Sequence, residues 1–136
     1  MRPTRRSACA KMGVLSSACV LVFTAGPLRA QDPVTVAPHN FTVLLENASV
    51  RVLDFHSKSG DKIPMHAHPA YVTYSLSGSG KTVFTAPDGK TTEQPSKTGQ
   101  VRWHDAETHA TEYIGTGGAH VLLVELKAQP PRKPKP

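Results

Sequence analysis

The chain has 136 residues, with 16 Lys and Arg against 10 Asp and Glu, a formal net charge of +6, and two cysteines. Five of the basic residues (Arg2, Arg5, Arg6, Lys11 and Arg29) and both cysteines (Cys9 and Cys19) fall within the first thirty positions. The remaining 106 residues carry eleven basic and ten acidic side chains and no thiol, so the charge gives no warrant for a nucleic-acid partner. Cysteine nucleophiles, disulfides and thiolate metal ligands are excluded from the body of the protein.

Residues 1–30 read as a cleaved export signal. Arg2, Arg5, Arg6 and Lys11 form a basic start without an acid, 14–25 is an apolar stretch too short to span a bilayer comfortably, and Ala30 offers a small residue at the cut. The expected location is periplasmic or secreted, with no stable membrane insertion after cleavage. The alternatives are a membrane anchor, a twin-arginine signal on Arg5-Arg6, and a lipoprotein signal on Ala18-Cys19.

Residues 31–40 are short and proline-containing and read as an extended lead-in. From Phe41 the chain reads as short strands punctuated by turns every eight to twelve residues, over 41–46, 49–56, 70–77, 81–86, 100–104, 109–114 and 120–127. Turn signals stand at Glu46-Asn47, Gly78-Ser79-Gly80, Pro87-Asp88-Gly89 and 115–118. No window of twelve residues has a helical period. The fold class is all-β, a sandwich or barrel over 41–127. Residues 128–136, rich in proline and lysine, read as a solvated, disordered tail.

One constellation carries chemistry. His66 and His68, at i and i+2 on an extended segment, project from one face of a strand, and His109 from a later strand completes three imidazoles able to hold one divalent metal. With no thiol present, the metal would be held by nitrogen and oxygen. No phosphate-binding glycine loop is present, since Ser77-Gly78-Ser79-Gly80 lacks a lysine and a following helix. No serine sits in a nucleophile elbow.

Gly60, His66, His68 and Gly78 together resemble the first sequence motif of the cupins, and Gly99, Trp103, Ala106, His109 and Glu112 resemble the second. The resemblance covers 41–127. It implies a cupin-type double-stranded β-helix, or jelly-roll barrel, with the histidines facing the lumen. It also implies a divalent metal (Fe, Mn, Ni or Zn) held by three histidines and one glutamate.

The chain departs from that pattern at the glutamate. Spacing from His68 places the position at Val72; anchoring on Leu76-Ser77-Gly78 places it at Tyr71. Strand parity favours Val72, with Val72, Tyr74 and Leu76 inward and Tyr71, Thr73, Ser75 and Ser77 outward, unless Pro69 resets the phase. Neither residue is a carboxylate. Three histidines alone would leave a metal with its full charge and an open position for an anionic ligand or water.

Around the triad, Glu107 shares the parity of His109 and is placed to hydrogen-bond an imidazole, while Glu112 lies on the opposite face. Tyr74, Trp103, His104 and Tyr113 are the candidate pocket residues, with Tyr71 and Phe84 as further wall and Asp105 as the partner of His104. Tyr113 also reads as a core residue. His39, His56 and His120 read as surface or pocket-rim side chains.

Two functions follow as expectations. One is metal-dependent chemistry on a small anionic or oxygen-rich molecule, as an Fe(II) oxygenase or as a Lewis-acid isomerase or lyase. The other is a non-catalytic small-molecule-binding module with a degenerate metal site. A homodimer joined through the apolar strand 120–127 is expected by analogy.

Overall fold

The structure is a computed structural model that describes residues 31–128; the segment read as an export signal and nearly all of the proline-rich tail lie outside the described residues. Within them, nine strands follow one helical turn: α1 (Pro33–Val36), β1 (Phe41–Glu46), β2 (Val50–Ser57), β3 (Lys62–His68), β4 (Tyr71–Ser77), β5 (Ser79–Thr85), β6 (Thr91–Lys97), β7 (Val101–His104), β8 (Glu107–Gly115) and β9 (Ala119–Leu126). They form two antiparallel sheets, β1-β2-β9-β4-β7 and β3-β8-β5-β6. Among the described residues no helix is long and apolar enough to cross a membrane.

Alternation explains the sandwich. Along β2, Leu53 and Phe55 turn inward while Asp54 and His56 turn out. The core is small: Phe41, Leu53, Ile63, Tyr71 and Leu123 with Ala37, flanked by Phe55, Val121, Val34 and Val36. On the outer face of the larger sheet, Leu45, Val52, Val124, Val72 and Trp103 stand opposite one another in one row across all five strands.

The lead-in is not extended. Pro33–Val36 forms a helical turn, because Asp32 caps it through Val34 N–H (2.9 Å) and Pro33 supplies a preset φ at its first position. Pro33 and Ala37 are buried, and Gln31 bridges to His66 through its carbonyl and Ala67 N–H. The lead-in therefore braces the histidine strand.

The histidine-bearing extended segment is a strand as expected, though no bounds were read for it, and one further strand was missed. Lys62–His68 is a full strand, and Thr91–Lys97 is a polar, proline-containing strand at the edge of the smaller sheet, where one unpaired side tolerates such a sequence. Strand β9 lies at the centre of its sheet, hydrogen-bonded to β2 and β4, so it has no free edge with which to pair a second copy.

Candidate metal centre

His66 and His109 are direct cross-strand partners on β3 and β8, and His68 is two residues further along the same face. The register slips by one residue between Ile63 and His66, a bulge containing Pro64, which keeps both Ile63 and His66 pointing inward. The motif glycines Gly60 and Gly99 stand in the turns that precede β3 and β7, at φ +84° and +80°, a conformation that L side chains rarely adopt.

The three imidazoles are almost fully buried, at 1%, 4% and 4% exposure for His66, His68 and His109. Their ring centroids lie 4.8 Å (66–68), 4.7 Å (66–109) and 5.5 Å (68–109) apart. One ring nitrogen from each falls within 4.8 Å of the others.

Their other nitrogens face acceptors. His66 Nδ1 donates to the Pro64 carbonyl at 2.7 Å, and His68 Nδ1 donates to Glu125 Oε1 at 2.6 Å. His109 Nδ1 lies 3.4 Å from Glu107 Oε1, out of line for a hydrogen bond. A carbonyl and a carboxylate only accept, so His66 and His68 carry a proton on Nδ1 and leave Nε2 to face the centre of the triad. Burial pushes the His66 imidazole down to about 4, further lowered by His109 and His68 and only partly opposed by the Pro64 bond. It is therefore neutral at neutral pH, the state a metal ligand needs. The donor set fits a divalent metal of the nitrogen-preferring kind.

Two carboxylates support the triad. Glu125, 2% exposed on β9, was missed by the sequence reading; it joins His68 to Arg51 Nε (2.6 Å), and Arg51 continues to Asp32. Burial raises the Glu125 carboxyl, but the bonds from His68 and Arg51 outweigh it and hold the group below its ordinary value. The signal was present in the sequence: Val121, Leu123 and Glu125 alternate on the inward face of one strand. Glu107 likewise overcomes the effect of burial through contacts with His104, His109 and Tyr71, and is held well below the usual carboxylate range.

Of the two residues that spacing offered for the glutamate position, Tyr71 faces the lumen and Val72 does not, the reverse of what strand parity predicted. Tyr71 is 2% exposed, and Tyr71, Thr73 and Ser75 line the lumen, while Val72, Tyr74 and Leu76 face out. The bend at Pro69-Ala70 separates β3 from β4, so the parity of the histidines does not carry over. Tyr71 stacks on His104 (4.4 Å, 10°) and lies 4.7 Å from the His68 ring. Its hydroxyl donates to Glu107 Oε1 at 2.7 Å, and burial with that carboxylate pushes its pKa far up. That bond commits the hydroxyl proton to Glu107.

The lumen is a cavity of about 100 Å³. Phe41, Phe55 and Phe84 form its apolar wall, and Thr82, Gln94 and Arg102 supply polar groups beside the histidines. Of the four expected pocket residues only His104 lines it, and its Nδ1 meets Glu107 at 3.2 Å rather than Asp105. Asp105 instead accepts from Trp103 Nε1 (3.0 Å), and Trp103 and Tyr74 are exposed on the outer face, at 57% and 42%. Tyr113 is buried away from the cavity, its hydroxyl donating to Ser79 O and accepting from Ser79 N–H. Glu112 faces outward beside Lys62 (3.5 Å).

No family model and no curated protein sequence matches the chain. Solved structures do. A cupin domain from Bordetella pertussis Tohama I superposes with TM-score 0.58 at 20% identity, over 65% of this chain and 92% of the other. A conserved protein with a double-stranded β-helix domain from Klebsiella pneumoniae gives 0.51 at 20%, over 63% and 70%. An RmlC-like cupin family protein from Methanocaldococcus jannaschii gives 0.50 at 15%, over 64% and 78%. The chain has the cupin fold, a double-stranded β-helix.

Proposed function

We propose that this protein holds one divalent metal through His66, His68 and His109 and carries out metal-dependent chemistry on a small anionic molecule in the lumen. The observation that supports this most is the outer bonding of the triad. His66 and His68 donate Nδ1–H to fixed acceptors and His109 faces a third, the arrangement that metal-ligating histidines ordinarily have.

A divalent ion held by three neutral imidazoles keeps its full charge and supplies Lewis-acid chemistry, or redox chemistry if it is iron. The rest belongs to the chain's own residues. Arg102 is bonded to neutral acceptors only, Gln94 Oε1 (3.0 Å), Gln100 Oε1 (2.6 Å) and Pro95 O (2.7 Å), and makes no ion pair among the described residues. Its uncompensated charge suits a carboxylate or similar anion. His104, in the lumen but outside the triad, is positioned by Glu107 to take or give a proton. Phe41, Phe55 and Phe84 keep bulk water from the reacting atoms, and the small cavity restricts the ligand to a few heavy atoms.

Calorimetry with a panel of small carboxylates tests this reading. Binding to metal-loaded protein that disappears after chelation supports it. Equal binding with and without metal would leave a binding module whose triad is structural.

Export belongs to the same proposal. N-terminal sequencing of protein recovered from the native compartment is expected to begin at Gln31, and an intact Met1 would refute the cleaved signal.

A further inference from the structure

Of the seven histidines, three lie outside the lumen, and all three line a second cleft of about 640 Å³: His39, His56 and His120. Asp54 and His56 alternate onto the outer face of β2, and His120 on β9 is the direct cross-strand partner of His56. The two rings stack with centroids 3.9 Å apart and planes 21° from parallel. Both present Nε2 to one carboxylate: His56 Nε2 lies 2.9 Å from Asp54 Oδ2, and His120 Nε2 lies 2.6 Å from Oδ1. Each oxygen of Asp54 therefore has its own imidazole nitrogen.

Hydrogen bonds account for this arrangement, yet the same atoms form a ligand set. One donor atom from each residue lies within 4.8 Å of the others. Around a tetrahedral zinc-type ion, with bonds of about 2.0–2.1 Å, neighbouring donors stand about 3.3 Å apart. Separating the Asp54–imidazole pairs by a few tenths of an ångström, and passing each ring to its Nδ1–H tautomer, leaves three donors around one cation.

Neither imidazole is locked in a core, since His56 and His120 are 58% and 32% exposed and can adjust. Lys58 and Lys62 on the cleft wall suit an anion as the remaining ligand. Ser57, which lines the same cleft, has a buried Oγ without a hydrogen-bond partner.

We propose that Asp54, His56 and His120 form a second divalent-cation site of the zinc type on the outer surface, separate from the lumen triad. Two imidazoles and one carboxylate are a borderline donor set that suits Zn(II). The two sites share no residue and stand on opposite faces of the fold's strands, so either can fail without the other.

Titration of tag-free protein with zinc chloride, followed by calorimetry, tests the outer site. The wild type is expected to bind one more equivalent than His56→Ala/His120→Ala, whose substitutions are at the surface. Asp54→Asn is expected to weaken the outer site about tenfold or more while leaving the lumen site unchanged. Side-chain imidazole NMR supplies a second readout, in which zinc shifts the His56 and His120 signals. An unchanged stoichiometry in His56→Ala/His120→Ala, or unmoved His56 and His120 signals at saturating zinc, overturns the proposal. Failure of the lumen reading would show separately, as loss of no equivalent in His66→Ala/His68→Ala.

Discussion

Glu125 in the larger sheet holds His68 in the smaller one, through a 2.6 Å bond between two side chains that are each at most 2% exposed. That bond crosses the barrel and fixes both the tautomer and the direction of the imidazole. Because Arg51 neutralises the far oxygen of the same carboxylate, the charge is satisfied at both ends.

Glu125→Gln keeps the shape of the side chain and removes its charge. The expected result is a fall in metal affinity of about 10–100-fold, the usual effect of losing such a partner. Unchanged affinity by competitive chelator titration would mean that His68 does not need this partner.

The metal-free protein should be acid-labile. The His66 pKa is lowered from its ordinary 6.5 to about 4, so between those values the unfolded chain binds a proton that the folded one rejects. The stability this group contributes is present above about 6.5 and is lost as pH falls to 4, on the order of 3 kcal/mol. The lowered Glu107 and Glu125 carboxyls act in the same direction below that window. Urea midpoints of chelated protein between pH 7 and 4 check this, and a flat profile would contradict it.

Tyr71→Phe keeps the ring stacked between His68 and His104 and deletes the donor to Glu107. A loss of about 1 kcal/mol of stability with unchanged metal stoichiometry is expected, because the hydroxyl proton is committed to Glu107. Loss of the metal in this variant would reassign Tyr71 to the coordination sphere.

Arg102→Gln removes the one lumen cation that has only neutral partners. Affinity for small carboxylates should fall about tenfold, consistent with loss of one charge-assisted bond, while metal content stays the same. Equal affinity in the variant would place anion recognition elsewhere.

The triad was legible in the sequence because a strand has period two: His66 and His68 needed only an extended backbone to share a face, and the glycine spacing fixed the turn before them. The phase of β4 was not legible, since Pro69-Ala70 breaks the alternation and local sequence does not state how a bend resets it. That single break exchanged Val72 for Tyr71 and carried Tyr74 to the outside. Trp103 followed for a related reason, as the cross-strand partner of outward-facing Val72. Glu125 and the Asp54–His56–His120 cluster depend on which strands become neighbours, and strand order is a long-range property that spacing along the chain does not carry.

Elemental analysis of tag-free His56→Ala/His120→Ala protein, in which the outer histidines cannot contribute, tests whether the lumen holds a metal. Close to one divalent metal per chain is expected, lost when His66 and His68 are also replaced by alanine. Protein that is folded, purifies without metal and takes up no Fe, Mn, Ni or Zn on dialysis would contradict it.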